Sequence, residues 1–399
     1  MSLKEQFPFF QHNPSTVYLD SAATTQKPKS VIDAIDRFYQ ADNVNVHRGS
    51  YRAAKQATND YEQSRIDVAK HINAYTPSDI VWTKGTTDSI NTVAMSWAQH
   101  RLNTGDRIVL LASEHHANFV PWQQLALNKG LEIDFIELTE DGVIDLAQYA
   151  EVMKQQPKFV AMQHVSNALG NIHPIEQMTK MAKAVGATVL IDGAQAIAHI
   201  EVDVQALNCD FYAFSGHKMF GPTGIGVLYI APFIKSQIRP VQLGGEMIRR
   251  VSRQETTFRP LPALLETGTP NIAGVIALKA AINFIESEKY HAQHERIQSL
   301  YHGLVAQLEI IDGIKIYGDP INNVGVVSFT YADESVSDLG ALLDQQGIAV
   351  RVGHHCAMPL MDALGINGTV RVSLAAYNDQ EDVDRFISAL NYSIEMLDI

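Results

Sequence analysis

Three residues, Lys218, Asp192 and Cys356, have the types and surroundings for covalent chemistry. Lys218 lies in DFYAFSGHKMFGPTGIGVLYI (210–230), in a Gly-bounded turn between two apolar runs. Desolvation lowers a lysine's pKa, and a neutral amine is what forms a Schiff base with a carbonyl. A lone lysine in a turn more often carries its ammonium out to solvent. Gly221, Gly224 and Gly226 lead into a strand pattern rather than opening a helix, so they fail the test of a dinucleotide loop. Asp192 ends the apolar run VLID, at the carboxyl edge where open α/β sheets bind ligands. A carboxylate there can hold a protonated pyridine nitrogen. Taken alone, a turn or helix-cap aspartate is the simpler reading. Cys356, in VRVGHHCAMPLMDAL (350–364), follows two histidines and precedes a helix pattern with Pro359 near its start. Cationic neighbours and a helix N-terminus both stabilise a thiolate, the nucleophilic form. Cys209, between Asn208 and Asp210 at a strand's start, reads instead as a buried structural residue.

Two further segments are suggestive. TKGTTDSIN (83–91) reads as a strand end, a loop with hydroxyls and a helix start, capped by Thr87 or Asp88. Free N–H groups and the helix dipole make such a start a phosphate cup. SEHHAN (113–118) sets two histidines just past a strand. No partner at metal-ligand spacing accompanies them, so zinc is a poor reading and polar loop residues the first one.

The elements that must position these groups follow an alternating pattern. Strands are predicted at 79–83, 107–111, 132–137, 159–164, 188–192, 211–215 and 226–230, with a helix at 88–97 after the first. Several are apolar throughout, as expected of strands covered on both faces. The alternation argues for an α/β domain with a mostly parallel sheet. After about residue 290, helices at 294–308 and 336–345 mix with short strands at 324–329, 348–352 and 369–373. This reads as a smaller α+β domain, joined by the extreme N-terminus. The predicted division is 23–289 for the large domain and 1–22 with 290–399 for the small one.

The net charge of −13, with no basic run, argues against nucleic-acid or anionic-membrane binding. No window approaches a membrane span, and residues 1–11 lack the apolar stretch of a signal peptide. Two cysteines exclude a disulfide framework and point to a reducing cytoplasm.

Taken together the motifs closely resemble one family, the cysteine desulfurases of the aspartate-aminotransferase fold (fold type I, class V), within it the SufS/CsdA group. The likeness runs from YLDSAATTQKP (18–28) to VRVSLAAYN (370–378). It includes NVHRGSY (45–51), EHHANFVPW (114–122), HVSNALG (164–170), DGAQA (192–196), SGHKMFGPTGIG (215–226), GTPN (268–271) and RVGHHCAMPLM (351–361). The compact form around Cys356 resembles the SufS branch rather than the longer loop of the NifS/IscS group. Val352, where Thr or Ala is common, and Ala168 are minor departures that remove no needed group.

The resemblance implies pyridoxal 5'-phosphate as cofactor. Lys218 would be its Schiff-base lysine, Asp192 the partner of its pyridine nitrogen and Gln195 that of its ring oxygen. His115 would stack on the ring and move protons. Thr86, Thr87, Ser215 and His217 would hold the phosphate, with Thr269 reaching the other subunit's cofactor in a homodimer. Arg371 and Asn167 would engage the substrate carboxylate and its surroundings, and Arg351 would lie beside the acceptor loop. Cys356 would take sulfur from L-cysteine as a persulfide, leaving L-alanine. A SufE-like or SufU-like protein would carry the sulfur on, for iron-sulfur cluster assembly. The alternative is a selenocysteine lyase of the same family, which needs Cys356 less because selenium leaves more easily. A non-catalytic scaffold would have lost the lysine or the aspartate, and both are present.

Overall fold

The computed structural model describes residues 3–139 and 142–397. The outermost residues of the predicted small domain, 1–2 and 398–399, therefore lie outside the described residues.

Seven strands form the main sheet: β1 (Ile80–Thr83), β2 (Arg107–Leu111), β3 (Glu132–Ile136), β4 (Phe159–Gln163), β5 (Thr188–Asp192), β6 (Phe211–Ser215) and β7 (Gly226–Ile230). Their order across the sheet is β1-β7-β6-β5-β4-β2-β3. β3, β2, β4, β5 and β6 run parallel, and β7 lies antiparallel to both its neighbours. β4, β6 and β7 are buried at every position. Their runs are apolar because helices cover both faces and no side of the strand meets water. Against this sheet sit α1 (Arg52–His71), α2 (Thr86–Val93), α3 (Val120–Lys129) and α4 (Ile272–Ile285), with the Trp122 ring packed on Phe159 at 4.5 Å between centroids, tilted by 48°.

A second sheet has the order β8-β9-β11-β10, from β8 (Ile314–Tyr317), β9 (Val326–Tyr331), β10 (Arg351–Gly353) and β11 (Thr369–Ser373), all antiparallel. It has its own apolar core with α5 (Glu288–Glu309), α6 (Val336–Gln345) and the C-terminal helix. The N-terminal strand Val17–Tyr18 reaches this layer by pairing with Ile348–Ala349.

Element boundaries differ from expectation for local reasons. Asp79 stays out of β1 because its carboxylate accepts from Thr76 N at 2.7 Å and Thr76 Oγ1 at 3.0 Å. The strand expected at 324–329 starts at Val326, since Asn323 Oδ1 accepts from the N–H groups of Gly325 and Val326. The strand expected at 348–352 is two strands. Ile348–Ala349 serves the N-terminal segment, and β10 turns to pair with β11. The helix expected at 88–97 starts at Thr86 and loosens into a wider turn over Ala94–Ala98.

One close approach fixes where α2 begins. A Cβ on Gly226, the first residue of β7, would stand 2.4 Å from Gly85 Cα, at the N-cap of α2. Gly226→Ala should therefore force the backbone apart, at a cost of about 1–3 kcal/mol. Gly303, exposed within α5, has nothing within 4 Å of its added Cβ. Gly303→Ala should stabilise by about 0.5–1 kcal/mol through helix propensity. Denaturant unfolding of the two variants checks the opposite signs.

Candidate active site

The carboxyl ends of β2, β4, β5 and β6 open into one cleft of about 240 Å³. Its lining includes twelve of the thirteen predicted site residues: Thr86, Thr87, His115, Asn167, Asp192, Gln195, Ser215, His217, Lys218, Arg351, Cys356 and Arg371. The large sheet supplies the first of these through its strand ends. The small sheet supplies Arg351 from β10, Arg371 from β11 and Cys356 from the loop between them. Thr269 stands apart. It is exposed and lines a second hollow with Lys84, Asp88 and Asn271.

Lys218 ends a short 3-10 turn directly after β6. Burial lowers its pKa from the usual lysine value, and Asp192 opposes that shift by its charge. Asp192 ends β5, its Oδ1 accepting from Ala194 N at 2.9 Å. Burial raises its pKa, with Lys218 pulling the other way. These two groups are each desolvated and each other's compensating charge. Asp192 is thus both the turn residue and the carboxylate of the cleft.

His115 caps the turn after β2, its Nδ1 accepting from Ala117 N at 3.0 Å. That bond leaves the ring proton on Nε2. Burial, with Lys218 adding repulsion, pushes its pKa down to about 3, so the ring is neutral. The helix start is less open than the sequence suggested. Gly85 is its N-cap, and Asp88 instead reaches back to accept from Lys84 N at 2.9 Å. Thr86 N donates to Ser215 Oγ at 2.8 Å, and the two hydroxyls lie 2.7 Å apart. His217, pushed down to about 4 by burial, completes this end of the cleft. On the opposite wall Gln195 is anchored by donating from Nε2 to Ala22 O at 2.7 Å.

The other end of the cleft is a chained polar group. Arg371 donates from Nη1 to Asn167 O at 2.7 Å and from Nη2 to Asp20 Oδ1 at 3.0 Å. Asn167 Nδ2 donates to His355 O at 2.7 Å. Asn167 Oδ1, Arg371 Nε and His355 Nδ1 are buried without partners. Buried polar atoms are normally satisfied, so three orphans around one cleft mark a place for a polar ligand. Burial lowers Arg371 to about 10, and Asp20 opposes it. Exposed Arg351 shares the same Asp20, at 3.2 Å.

Cys356 is half-buried and Cys209 fully buried, with burial raising the Cys209 thiol. His355 and Cys356 both hold left-handed backbone, at φ 50° and 56°. Cys356 N donates to His354 Nδ1 at 3.1 Å, and Cys356 O accepts from His116 N at 2.7 Å. Of the two histidines before Cys356, His355 does not supply the cationic neighbour that stabilises a thiolate. His355, its Nε2 against Thr369 Oγ1 at 2.8 Å, is pushed by burial to about 3 and is neutral. The positive field felt by Cys356 includes that of Arg371.

Three residues of the site were missed in the sequence. His355 and Gln163 line the cleft, and Glu114 lies fully buried behind it, accepting from Gln163 N and Asn118 Nδ2, each at 2.7 Å. A carboxyl directly after an apolar strand and before HH was the available signal for Glu114. Among the described residues no group of three or more His, Cys, Asp or Glu could hold a metal, and no helix is long and apolar enough to cross a membrane.

A lysine whose pKa is lowered by burial, sharing the cleft with a strand-end carboxylate beside a hydroxyl-lined helix start, fits pyridoxal phosphate. Fold and cleft together define a fold-type-I pyridoxal-phosphate enzyme. Residues 17–386 match the family model for aminotransferase class V, and the chain belongs to that family. A probable cysteine desulfurase of Vibrio cholerae is 45% identical over 401 residues, covering 99% of this chain and 98% of its own. The apo cysteine desulfurase of Thermococcus onnurineus superposes with a TM-score of 0.94 at 40% identity, over 99% of this chain and 98% of its own. The Escherichia coli cysteine desulfurase CsdA does so at 0.91 and 38%, over 98% of each.

The buried histidines set an acid limit. His115, His164, His199 and His355 all fall from 6.5 to about 3 on folding. The unfolded chain therefore binds more protons than the folded one between those values, and stability is lost as pH falls through that window. Denaturant midpoints should be level from pH 8 to about 7 and decline from about 6.5 to 5, by up to about 1.4 kcal/mol per pH unit for each histidine.

Proposed function

We propose that this protein is a cysteine desulfurase, taking sulfur from L-cysteine and releasing L-alanine. The observation that carries the reading is one cleft with Lys218 and Asp192 among its strand ends and a half-buried cysteine in its lining. The bound cofactor supplies an electron sink for charge developing at the substrate's Cα. Asp192 would hold its pyridine nitrogen protonated, Gln195 would meet its ring oxygen, and His115, a neutral imidazole, would face the ring. Thr86, Thr87, Ser215 and His217 bind the phosphate. Arg371 and Asn167 offer unpartnered buried atoms to the substrate carboxylate and its surroundings. Arg351, tethered through Asp20, stands at the same end. Lys218, its pKa lowered by burial, would remove the Cα proton. Cys356 Sγ then attacks the substrate sulfur. The S–S bond forms as the substrate's C–S bond breaks, and reprotonation releases alanine.

The same reading assigns residues 23–289 to cofactor binding, and 1–22 with 290–399 to the domain bearing the sulfur-accepting loop. It takes the persulfide to a SufE-type or SufU-type acceptor in the cytoplasm for iron-sulfur cluster assembly. Thr269 would meet the cofactor of a second copy, in a homodimer.

Borohydride reduction of the yellow protein should label Lys218. After a cysteine pulse, mass spectrometry should find added sulfur on the Cys356 peptide and none on that of Cys209. Cys356→Ala should fold and bind cofactor, with sulfur transfer near background, whereas Cys209→Ala transfers sulfur. Persulfide on Cys209, or normal transfer by Cys356→Ala, refutes the assignment. Assembly has its own check. Sedimentation should show a dimer at assay concentration, and an active monomer there would sink the dimer.

A further inference from the structure

Four donors converge on one backbone oxygen, that of His217. Thr25 N and Lys27 Nζ each lie at 3.0 Å, and Thr24 Oγ1 and Thr25 Oγ1 each at 3.1 Å. A carbonyl has two lone pairs, so this one is oversubscribed. The peptide it belongs to leads directly into Lys218. On the far side of the same turn Thr25 Oγ1 accepts from Phe220 N at 2.8 Å. The N-terminal strap 24–27 therefore grips the lysine's turn at both ends. Lys27 is the charged member of the grip. Its remaining contacts are Thr25 O and Thr24 Oγ1, and burial, with no acid to offset it, lowers its pKa to about 8. A partly buried ammonium without a carboxylate partner is costly, which makes its placement on this carbonyl informative.

We propose that Lys27 is a positioning residue for Lys218, fixing the His217–Lys218 peptide and so the line along which the Lys218 amine enters the cleft. The inference rests on Lys218 being the cofactor lysine. Of the four donors Lys27 makes the charge-assisted bond, the stronger kind. Without it only the neutral donors of Thr24 and Thr25 hold the carbonyl, and the peptide plane shifts with the loss of the charged bond, moving the amine relative to the substrate's Cα. Substrate binding, which uses Arg371 and Asn167 at the other end, is left alone.

The test compares Lys27→Met and Lys27→Arg holoenzymes with wild type in kcat, KM for cysteine, unfolding midpoint, and the pH midpoint of the bound cofactor's absorption. Lys27→Met should lower kcat by about 10-fold with KM within about twofold, because a small misplacement of a reacting group is costly in rate. The spectral pH midpoint should move with it, and Lys27→Arg should restore most of both. A lower unfolding midpoint with unchanged spectral midpoint and kcat would mean a purely structural lysine and overturn the proposal. If Lys27→Met is insoluble, Lys27→Gln decides, since it removes the charged donor from the same carbonyl while keeping a polar side chain. A fall in kcat with a spectral shift supports the grip, and wild-type behaviour overturns it. Failure of borohydride to label Lys218 in wild type would instead remove the reading of the site itself.

Discussion

The constraint on which the structure turns is the burial of a lysine opposite an aspartate. Neither Lys218 nor Asp192 is comfortable where it lies, and each is shifted toward its neutral form by loss of water. Breaking such a pair by removing one partner is far more costly than its net worth, because it strands the other charge. The main sheet exists around this pair. β5 ends on Asp192 and β6 ends three residues before Lys218, and their parallel register sets Asp192 beside Ala213. The fully apolar strands hold these ends in place without flexible, hydrated positions between them.

The second layer brings what the first cannot. Arg371 on β11 is almost wholly buried, yet Asp20 from the N-terminal segment is its charge partner. The same aspartate holds Arg351, so one carboxylate serves two guanidiniums. That end of the cleft carries a surplus of positive charge and unpartnered polar atoms, while the lysine end is balanced. On the proposed function, this asymmetry would give a zwitterionic ligand a direction of entry, carboxylate toward the arginines.

Much of this was legible in the sequence, and the misses have physical causes. Apolar runs such as 159–162 and 226–230 announce strands covered on both faces, and strands formed there. The run 348–352 could not be divided in advance, because what splits it is two different pairing partners brought in from distant segments. Lys218, Asp192 and Cys356 stood out by type and setting, but for Lys218 and Asp192 it was the likeness of the surrounding motifs to a known family that outweighed the simpler readings of a solvent-reaching lysine and a turn aspartate. Glu114 and Gln163 were not, since a polar residue at a strand end looks like any turn residue until the neighbours it bonds are known. The neutral state of His355 was not legible for a related reason. Sequence adjacency to a cysteine says nothing of the burial that keeps the ring neutral. Thr269 lies away from the cleft in a single chain, and its expected role concerns a second copy.

His355 and Cys356 hold consecutive left-handed backbone conformations, a geometry that costs a residue with a side chain about 1–2 kcal/mol more than glycine. At half-buried Cys356 glycine would fit the chain trace with less strain, whereas at His355 it would lose a buried ring and its bond to Thr369. Selection for thermal robustness alone, as in an unguided directed-evolution campaign, would therefore push Cys356 toward glycine and discard the sulfur chemistry while improving the fold. Screens that aim to harden this scaffold need that codon held fixed, or activity scored beside melting temperature in every round.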